Sequence, residues 1–231
     1  MKFRLLLGLV GKVLLLESFA MIPCLALAAA DRADDATGFA AAILLAAAVG
    51  LALLRIRPGD QPWRARDGFA AVAAAWIALT VFGALPFVFG GYTTPIDALF
   101  ESVSGFTTTG STILTDIESL PRGLLLWRSL SHWIGGMGVL VLSLAAIPNM
   151  GARSAHLMRA ESSGPTPGKL VPRIGNSSKL LYGLYAALTA IVWIALLFCG
   201  MSPFDAAIHA LSTAGTGGYS NYSNSVARFH S

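Results

Sequence analysis

The sequence predicts an all-α polytopic membrane protein, and three observations support this fold class. Hydrophobic residues make up 55% of the 231 residues and charged residues only 12%, about half the charged share of an average soluble domain. Several uncharged stretches are long enough to cross a bilayer as a helix, which takes about 20 apolar residues. One segment also recurs later in the chain with its spacing intact. The composition excludes a disordered chain, a nucleic-acid module and a secreted disulfide scaffold.

Five membrane helices are predicted, in the ranges 5–30, 36–54, 68–96, 129–152 and 180–204. The first has a second interpretation, a cleavable signal peptide in which Lys2 and Arg4 form the basic start. We favour a retained helix because the stretch is long and carries Glu17 and Pro23, whereas the corresponding part of a cleavable segment is usually an uninterrupted apolar run.

Charged residues predict the orientation of these helices, because cytoplasmic links carry an excess of Lys and Arg. The links after the second and fourth predicted spans are basic: Arg55, Arg57, Arg64, Arg66, Arg153, Arg159, Lys169, Arg173 and Lys179. Carboxylates collect on the opposite side: Asp31, Asp34, Asp35, Asp97, Glu101, Asp116, Glu118 and Asp205. An acidic outer face would raise the local concentration of cations, or it reflects only charges kept out of the lipid.

The recurring segment covers residues 94–111 and 202–219, with matching residues 108 positions apart. Each copy opens with a hydroxyl residue, a proline and an aspartate, spaced as the N-cap and the first and third positions of a helix. A helix that starts there has room for about three turns, too few to cross a bilayer. Each copy therefore predicts a half-helix that enters from outside and returns as an extended segment.

The return segments, 106–111 and 214–219, are rich in glycine and threonine. Extended backbone is tolerated at membrane depth only where it lines a cavity filled with water or ions. Glycine permits positive φ, so that carbonyl oxygens can point inward, and threonine hydroxyls add further oxygens. The half-helix also directs the negative end of its dipole at this cavity, which favours a cation. Potassium filters are built from carbonyl oxygens in this way.

These features resemble the TrkH and KtrB superfamily of potassium uptake proteins. The resemblance rests on the loop 104–111, its degenerate copy at 212–220 and the Trp-Ile-Gly-Gly-Met-Gly stretch at 133–138. It implies a pore of four repeats, each made of a membrane helix, a re-entrant pore helix, a filter loop and a second membrane helix. It also implies filter residues that coordinate dehydrated potassium: Thr107, Thr108, Thr109, Gly110, Gly215, Thr216, Gly217 and Gly218. The core of the two filter strands would be Thr108, Thr109, Thr216 and Gly217.

The resemblance divides the chain into an N-terminal pair of membrane helices (1–67), a first repeat (68–150), a cytoplasmic linker (151–178) and a second repeat that lacks its last helix (179–231). A filter ring needs four strands, and this sequence supplies two. The sequence is therefore expected to be the N-terminal half of a family member.

Partners and location also follow from the resemblance. It implies a multi-pass protein of the cell inner membrane, with potassium as the transported ion and no cofactor. A cytoplasmic nucleotide-binding regulatory subunit is expected on the inner face, near residues 149–179, and the full-length form is expected to be a homodimer. The sequence leaves open whether uptake is channel-like or a symport with protons or sodium.

Other functions were weighed against potassium uptake. A truncated membrane protein that conducts nothing, and serves in assembly or partner binding, would also contain two strands. An intramembrane protease would need a serine nucleophile beside a histidine base, from among Ser104, Ser131, Ser212, His132 and His209. No nucleophile motif surrounds these residues, so we expect structural roles for them and no enzymatic activity. Close helix packing is expected at Gly135, Gly136 and Gly138.

Overall fold

The computed structural model describes residues 3–56, 65–146 and 174–229, and within these ranges it contains helices and no strand. In chain order the helices are α1 (Phe3–Ala20), α2 (Ile22–Ala30), α3 (Asp35–Leu54), α4 (Ala65–Gly83), α5 (Leu85–Phe89), α6 (Pro95–Phe106), α7 (Arg122–Ala146), α8 (Ile174–Phe198) and α9 (Pro203–Ala214). A short 3₁₀ helix, Ser225–Arg228, follows. The predicted all-α fold class is confirmed.

Four of the predicted membrane spans reappear as stretches long and apolar enough to cross a bilayer: Leu6–Ala30, Asp35–Leu54, Ala70–Phe89 and Lys179–Phe198. Two of these stretches contain a break, between α1 and α2 and between α4 and α5. Pro23 and Pro86 stand in the first turn of α2 and α5, where proline is tolerated because that position needs no backbone donor. The chain is therefore a multi-pass membrane protein.

The remaining predicted span, the uncharged stretch 129–152, corresponds to α7. This helix begins earlier, at Arg122, and ends at Ala146, while residues 147–152 lie outside the described part of the chain. The helix extends beyond the uncharged stretch at its N-terminal end because it includes Arg128, which is buried and paired with a carboxylate. Gly138 has a non-helical φ of 70° inside α7, so it breaks the helix there.

Of the acidic residues predicted for the outer face, Glu101, Asp35 and Asp205 are buried and Asp97 is half-buried, so these four add little exposed charge to that face. Exposed carboxylates remain at Asp31, Asp34, Asp116 and Glu118. Most of the basic residues that carry the predicted orientation, together with residues 151–173 of the predicted linker 151–178, lie outside the described residues, so the orientation stays a prediction.

The core lies around the first half of α7. Trp127 is fully buried there, and its indole Nε1 donates a hydrogen bond to the carbonyl oxygen of Gly83, 2.9 Å away at the end of α4. Phe106, the last residue of α6, packs edge-on against Trp127 with ring centroids 6.0 Å apart. These contacts hold the C-terminal end of α6 against α4 and α7, which places the loop that follows.

The N-terminal helices belong to the same core. Gly11 of α1 and Gly50 of α3 approach so closely that a Cβ built on Gly11 would lie 2.8 Å from the Gly50 carbonyl oxygen. Small residues permit this kind of helix contact in membranes. Leu14, Met21 and Cys24 are buried, so the stretch for which we weighed a signal peptide is packed into the bundle.

The last long helix, α8, lies at the edge of the described bundle. None of its residues from Lys179 to Phe198 is buried. It is attached to α7 by hydrogen bonds from Tyr185 to the Trp133 carbonyl (3.1 Å) and from the Trp133 indole to Thr189 (3.0 Å). These bonds fix the helix that leads into the second half-helix.

Candidate functional site

The two predicted half-helices, α6 and α9, are both present, each has 12 residues, and both begin with the same cap. The Thr94 hydroxyl accepts from the backbone N of Asp97 (3.3 Å) and donates to its carboxylate (2.7 Å). Ser202 makes the same two bonds with Asp205, at 3.1 and 2.8 Å. A reciprocal cap of this type fixes where a helix starts. At about 1.5 Å per residue, each helix is about 18 Å long, well short of a membrane span.

The chain turns in the same way at the end of each half-helix. After α6, the backbone N of Thr108 donates to the Gly105 carbonyl and that of Thr109 to the Ser104 carbonyl, both at 3.0 Å. After α9 the two equivalent bonds, at 3.0 and 3.1 Å, are Thr216 to Thr213 and Gly217 to Ser212. The repeat in sequence is therefore also a repeat in backbone hydrogen bonding.

Backbone angles show the same correspondence. Thr108 has a φ of 56° and Thr216 of 59°, while Gly110 has 75° and Gly218 has 80°. Glycine adopts positive φ freely, but a threonine held there is strained, and such strain collects at functional sites. Each loop thus has a strained threonine followed two residues later by a glycine with positive φ, at matching positions of the repeat.

The two loops meet each other. A Cβ built on Gly110 would overlap the carbonyl oxygen of Gly217. One step further along, the Tyr219 hydroxyl lies 3.2 Å from the Ser111 carbonyl oxygen, to which it can donate. The structure thus brings the two predicted strands side by side.

Close helix packing was predicted at Gly135 and Gly136 of α7, and these glycines allow the C-terminal ends of α6 and α9 to approach that helix. A Cβ on Gly135 would overlap the Phe106 carbonyl oxygen, and one on Gly136 would lie 2.8 Å from the Cα of Gly215. For Gly138 the prediction of helix packing was incomplete, because its positive φ interrupts the helix.

Buried side chains hold the first loop from behind. The Glu101 carboxylate accepts from the Thr112 hydroxyl (2.6 Å) and from the backbone N of Ile113 (2.8 Å). The Ser104 hydroxyl donates to the Ser111 carbonyl at 2.6 Å. The residues that follow Gly110, 111–113, are therefore tied to α6 by three hydrogen bonds.

The predicted site residues occupy these loops, most of them with open surface. Thr107, Thr109, Thr216 and Gly218 are exposed, and Gly215 is buried. Both half-helices end at these loops, so their dipoles present partial negative charge there, and the loop carbonyls and hydroxyls are neutral oxygen donors. Neutral oxygens of this kind suit a weakly hydrated monovalent cation. The described residues contain no cluster of His, Cys, Asp and Glu able to bind a metal ion tightly.

A protease site is not formed by the residues weighed for it. Ser131 donates to the Arg128 carbonyl, Ser212 bonds to the Ser129 hydroxyl, and Ser104 bonds to Ser111 as described. The Nε2 atom of His209 lies 3.5 Å from the hydroxyl of Ser220. His132 instead stacks on Tyr219, with centroids 3.9 Å apart.

Three residues around the loops were not predicted as site residues: Glu101, Arg128 and Tyr219. A signal was present, since Glu101 and Arg128 are isolated charges inside otherwise apolar helical stretches. Such charges in a membrane helix mark a function or a partner. The partner of each charge could not be predicted from the sequence.

The fold and the paired loops define a class of membrane protein, one in which capped half-helices and extended loops repeat inside a helical bundle, as they do in ion channels and transporters. A model of a cation transport protein family, TrkH, matches residues 36–231. The chain belongs to the TrkH family of cation transport proteins and is a multi-pass protein of the cell inner membrane.

The similarity to known proteins covers the whole chain. The Trk system potassium uptake protein TrkH of Halomonas elongata is 37% identical over 235 residues, covering 100% of this chain and 49% of the relative. The TrkH protein of Escherichia coli is 38% identical, with the same coverage of both proteins. The crystal structure of the potassium transporter TrkH from Vibrio parahaemolyticus superposes with a TM-score of 0.79 at 32% identity, over 96% of this chain and 45% of that one. The chain thus spans about half the length of these relatives, as expected from a sequence that supplies two of four filter strands.

Proposed function

We propose that the chain contributes to potassium uptake across the membrane, and that its two loops are strands of a filter that coordinates dehydrated potassium. The backbone carbonyls of residues 107–110 and 215–218 supply the oxygens, with Thr108, Thr109, Thr216 and Gly217 at the core of the strands. Potassium is the ion named for the relatives in two organisms and for the solved transporter.

The observation that carries this proposal is the matched backbone of the two loops. Each follows a capped half-helix, each has the same pair of positive φ angles, and the two are in contact at Gly110 and Gly217. Two loops that share a conformation can present their carbonyls to one ion as symmetry-related ligands. A ring of four strands surrounds an ion completely, so the other two strands are proposed to come from outside these residues.

Partners follow as further proposals. A nucleotide-binding regulatory subunit would dock on the basic inner segment 149–179, most of which lies outside the described residues, and the complete transporter would be a homodimer. No specific contact in the described residues favours the alternative of a non-conducting assembly protein.

Potassium-limited growth tests the proposed function. The gene that encodes the chain is deleted from its host and restored as wild type or as the variant Gly110→Ala, whose added Cβ would overlap the Gly217 carbonyl oxygen. We expect the deletion to slow growth and rubidium uptake at low potassium, the wild type to restore both, and the variant to restore them only in part. Equal uptake by the deletion strain and the wild type at low potassium would contradict the proposal.

A further inference from the structure

Arg128 occupies a central position behind both loops. It lies on α7 and forms an ion pair with Glu101, with Nε 3.1 Å from Oε2 and with side-chain exposures of 2% and 0%. The same guanidinium donates to the Thr112 hydroxyl of the first loop at 3.1 Å and points to the Ser220 carbonyl of the second loop at 3.5 Å. One buried side chain thus reaches a half-helix and both return strands.

Tyr219 completes this connection from the side of the second loop. Its ring lies 4.1 Å from the Arg128 guanidinium carbon and stacks on His132. Its hydroxyl lies 3.1 Å from the Glu101 carbonyl and 3.2 Å from the Ser111 carbonyl, and its one hydrogen serves either acceptor. The second loop is therefore fastened to the first half-helix and to the first loop through the same residue.

A buried ion pair is weak evidence for stability, because desolvation offsets much of the attraction between the charges. The value of this pair is conformational, since a hydrogen-bonded polar network holds its members in one arrangement. The planar guanidinium can bond in several fixed directions at once, which a lysine ammonium on a flexible chain does not reproduce. The geometry therefore suits a spacer that holds two backbones at a set separation.

We propose that Arg128, together with Glu101 and Tyr219, positions the two filter loops relative to each other and thereby sets the selectivity for potassium. This inference rests on the proposed function. None of the three residues supplies an oxygen to the ion in this proposal, so they are positioning residues. Their effect is on the distance between loop carbonyls, which decides whether the smaller sodium ion is coordinated as well as potassium.

Arg122 offers a matched control on the same helix. It forms an ion pair with Asp31 at the same distance, 3.1 Å, but with side-chain exposures of 49% and 29%. It also lies over an aromatic ring, that of Phe204, at 4.6 Å. Arg122 therefore shares the residue type, the helix and the kinds of contact, and differs in having no contact with the filter loops among the described residues.

The test compares Arg128→Lys, Arg122→Lys and Tyr219→Phe in the protein expressed from its gene, with membrane abundance, the KM and maximal rate of rubidium uptake, and inhibition by sodium as readouts. Arg128→Lys keeps the positive charge but loses the planar guanidinium that bonds in several fixed directions. We expect it to accumulate normally and to lose about tenfold in potassium over sodium discrimination. Tyr219→Phe, which loses one hydroxyl, should lose about threefold, and Arg122→Lys should behave as wild type.

Two results would overturn the inference. One is wild-type discrimination in both Arg128→Lys and Tyr219→Phe. The other is equal loss of discrimination in Arg122→Lys, because that would show a general effect of arginine substitution on α7. A failure of the proposed function is distinct from either result, because it would appear in the wild type as an absence of potassium-selective uptake.

Discussion

Gly110 provides the sharpest test of the contact between the two loops, because Gly218 is its built-in control. Both glycines have positive φ, 75° and 80°, so alanine at either position pays about 1–2 kcal/mol of backbone strain. Only at Gly110 does the added Cβ overlap another group, the Gly217 carbonyl oxygen, whereas at Gly218 nothing lies within 4 Å. The two substitutions thus share the strain and differ in the overlap.

The overlap has a size that predicts the effect. To reach ordinary van der Waals contact with the new Cβ, the Gly217 carbonyl must move by roughly 1–2 Å, which is large compared with the difference in radius between potassium and sodium. We expect Gly110→Ala to lower potassium over sodium discrimination by about tenfold or more, and Gly218→Ala to change it by about threefold at most.

The assay is rubidium uptake at low potassium with increasing sodium, in cells that depend on the gene and with membrane abundance measured in parallel. Equal discrimination by Gly110→Ala and Gly218→Ala would refute the reasoning, because it would show that the contact between Gly110 and Gly217 does not shape the ion site.

The remaining predictions concern the parts that hold the loops. Ser202→Ala removes the cap of α9 and should destabilise the protein by about 1 kcal/mol, seen as a lower Tm of the purified protein in detergent. Ser202→Thr keeps a capping hydroxyl and should have the wild-type Tm. An unchanged Tm in the alanine variant would argue against the cap. Trp127→Phe leaves the buried Gly83 carbonyl without its donor and should cost about 1–3 kcal/mol. The exposed Trp193 makes a similar bond at 3.2 Å, so Trp193→Phe should lower the Tm much less, and equal shifts would contradict the role given to burial.

Local signals carried most of what the sequence could predict. The half-helices begin where Thr94 and Ser202 were expected to cap them, because a cap depends on residues within one turn. The positions of the loops followed, since a helix too short to span the bilayer must end inside it. The register between the loops was also readable, because the repeat has no gap.

Partners distant in the sequence could not be predicted in this way. Glu101 and Arg128 lie 27 residues apart, and Tyr219 bonds to a residue 108 positions away. Hydropathy measures what a side chain costs in lipid by itself, so it does not show which two charges meet in the interior. A charge becomes compatible with the interior once an opposite charge and hydrogen bonds meet it there.

Ion flux through the purified protein tests the central claim most directly. The protein expressed from the gene is reconstituted into liposomes, and potassium and sodium fluxes are measured under equal gradients for the wild type and for Gly110→Ala. We predict a potassium flux well above the sodium flux in the wild type and a reduced ratio in the variant. Equal fluxes of the two ions through the wild type, or no flux of either, would contradict the claim that the paired loops coordinate dehydrated potassium.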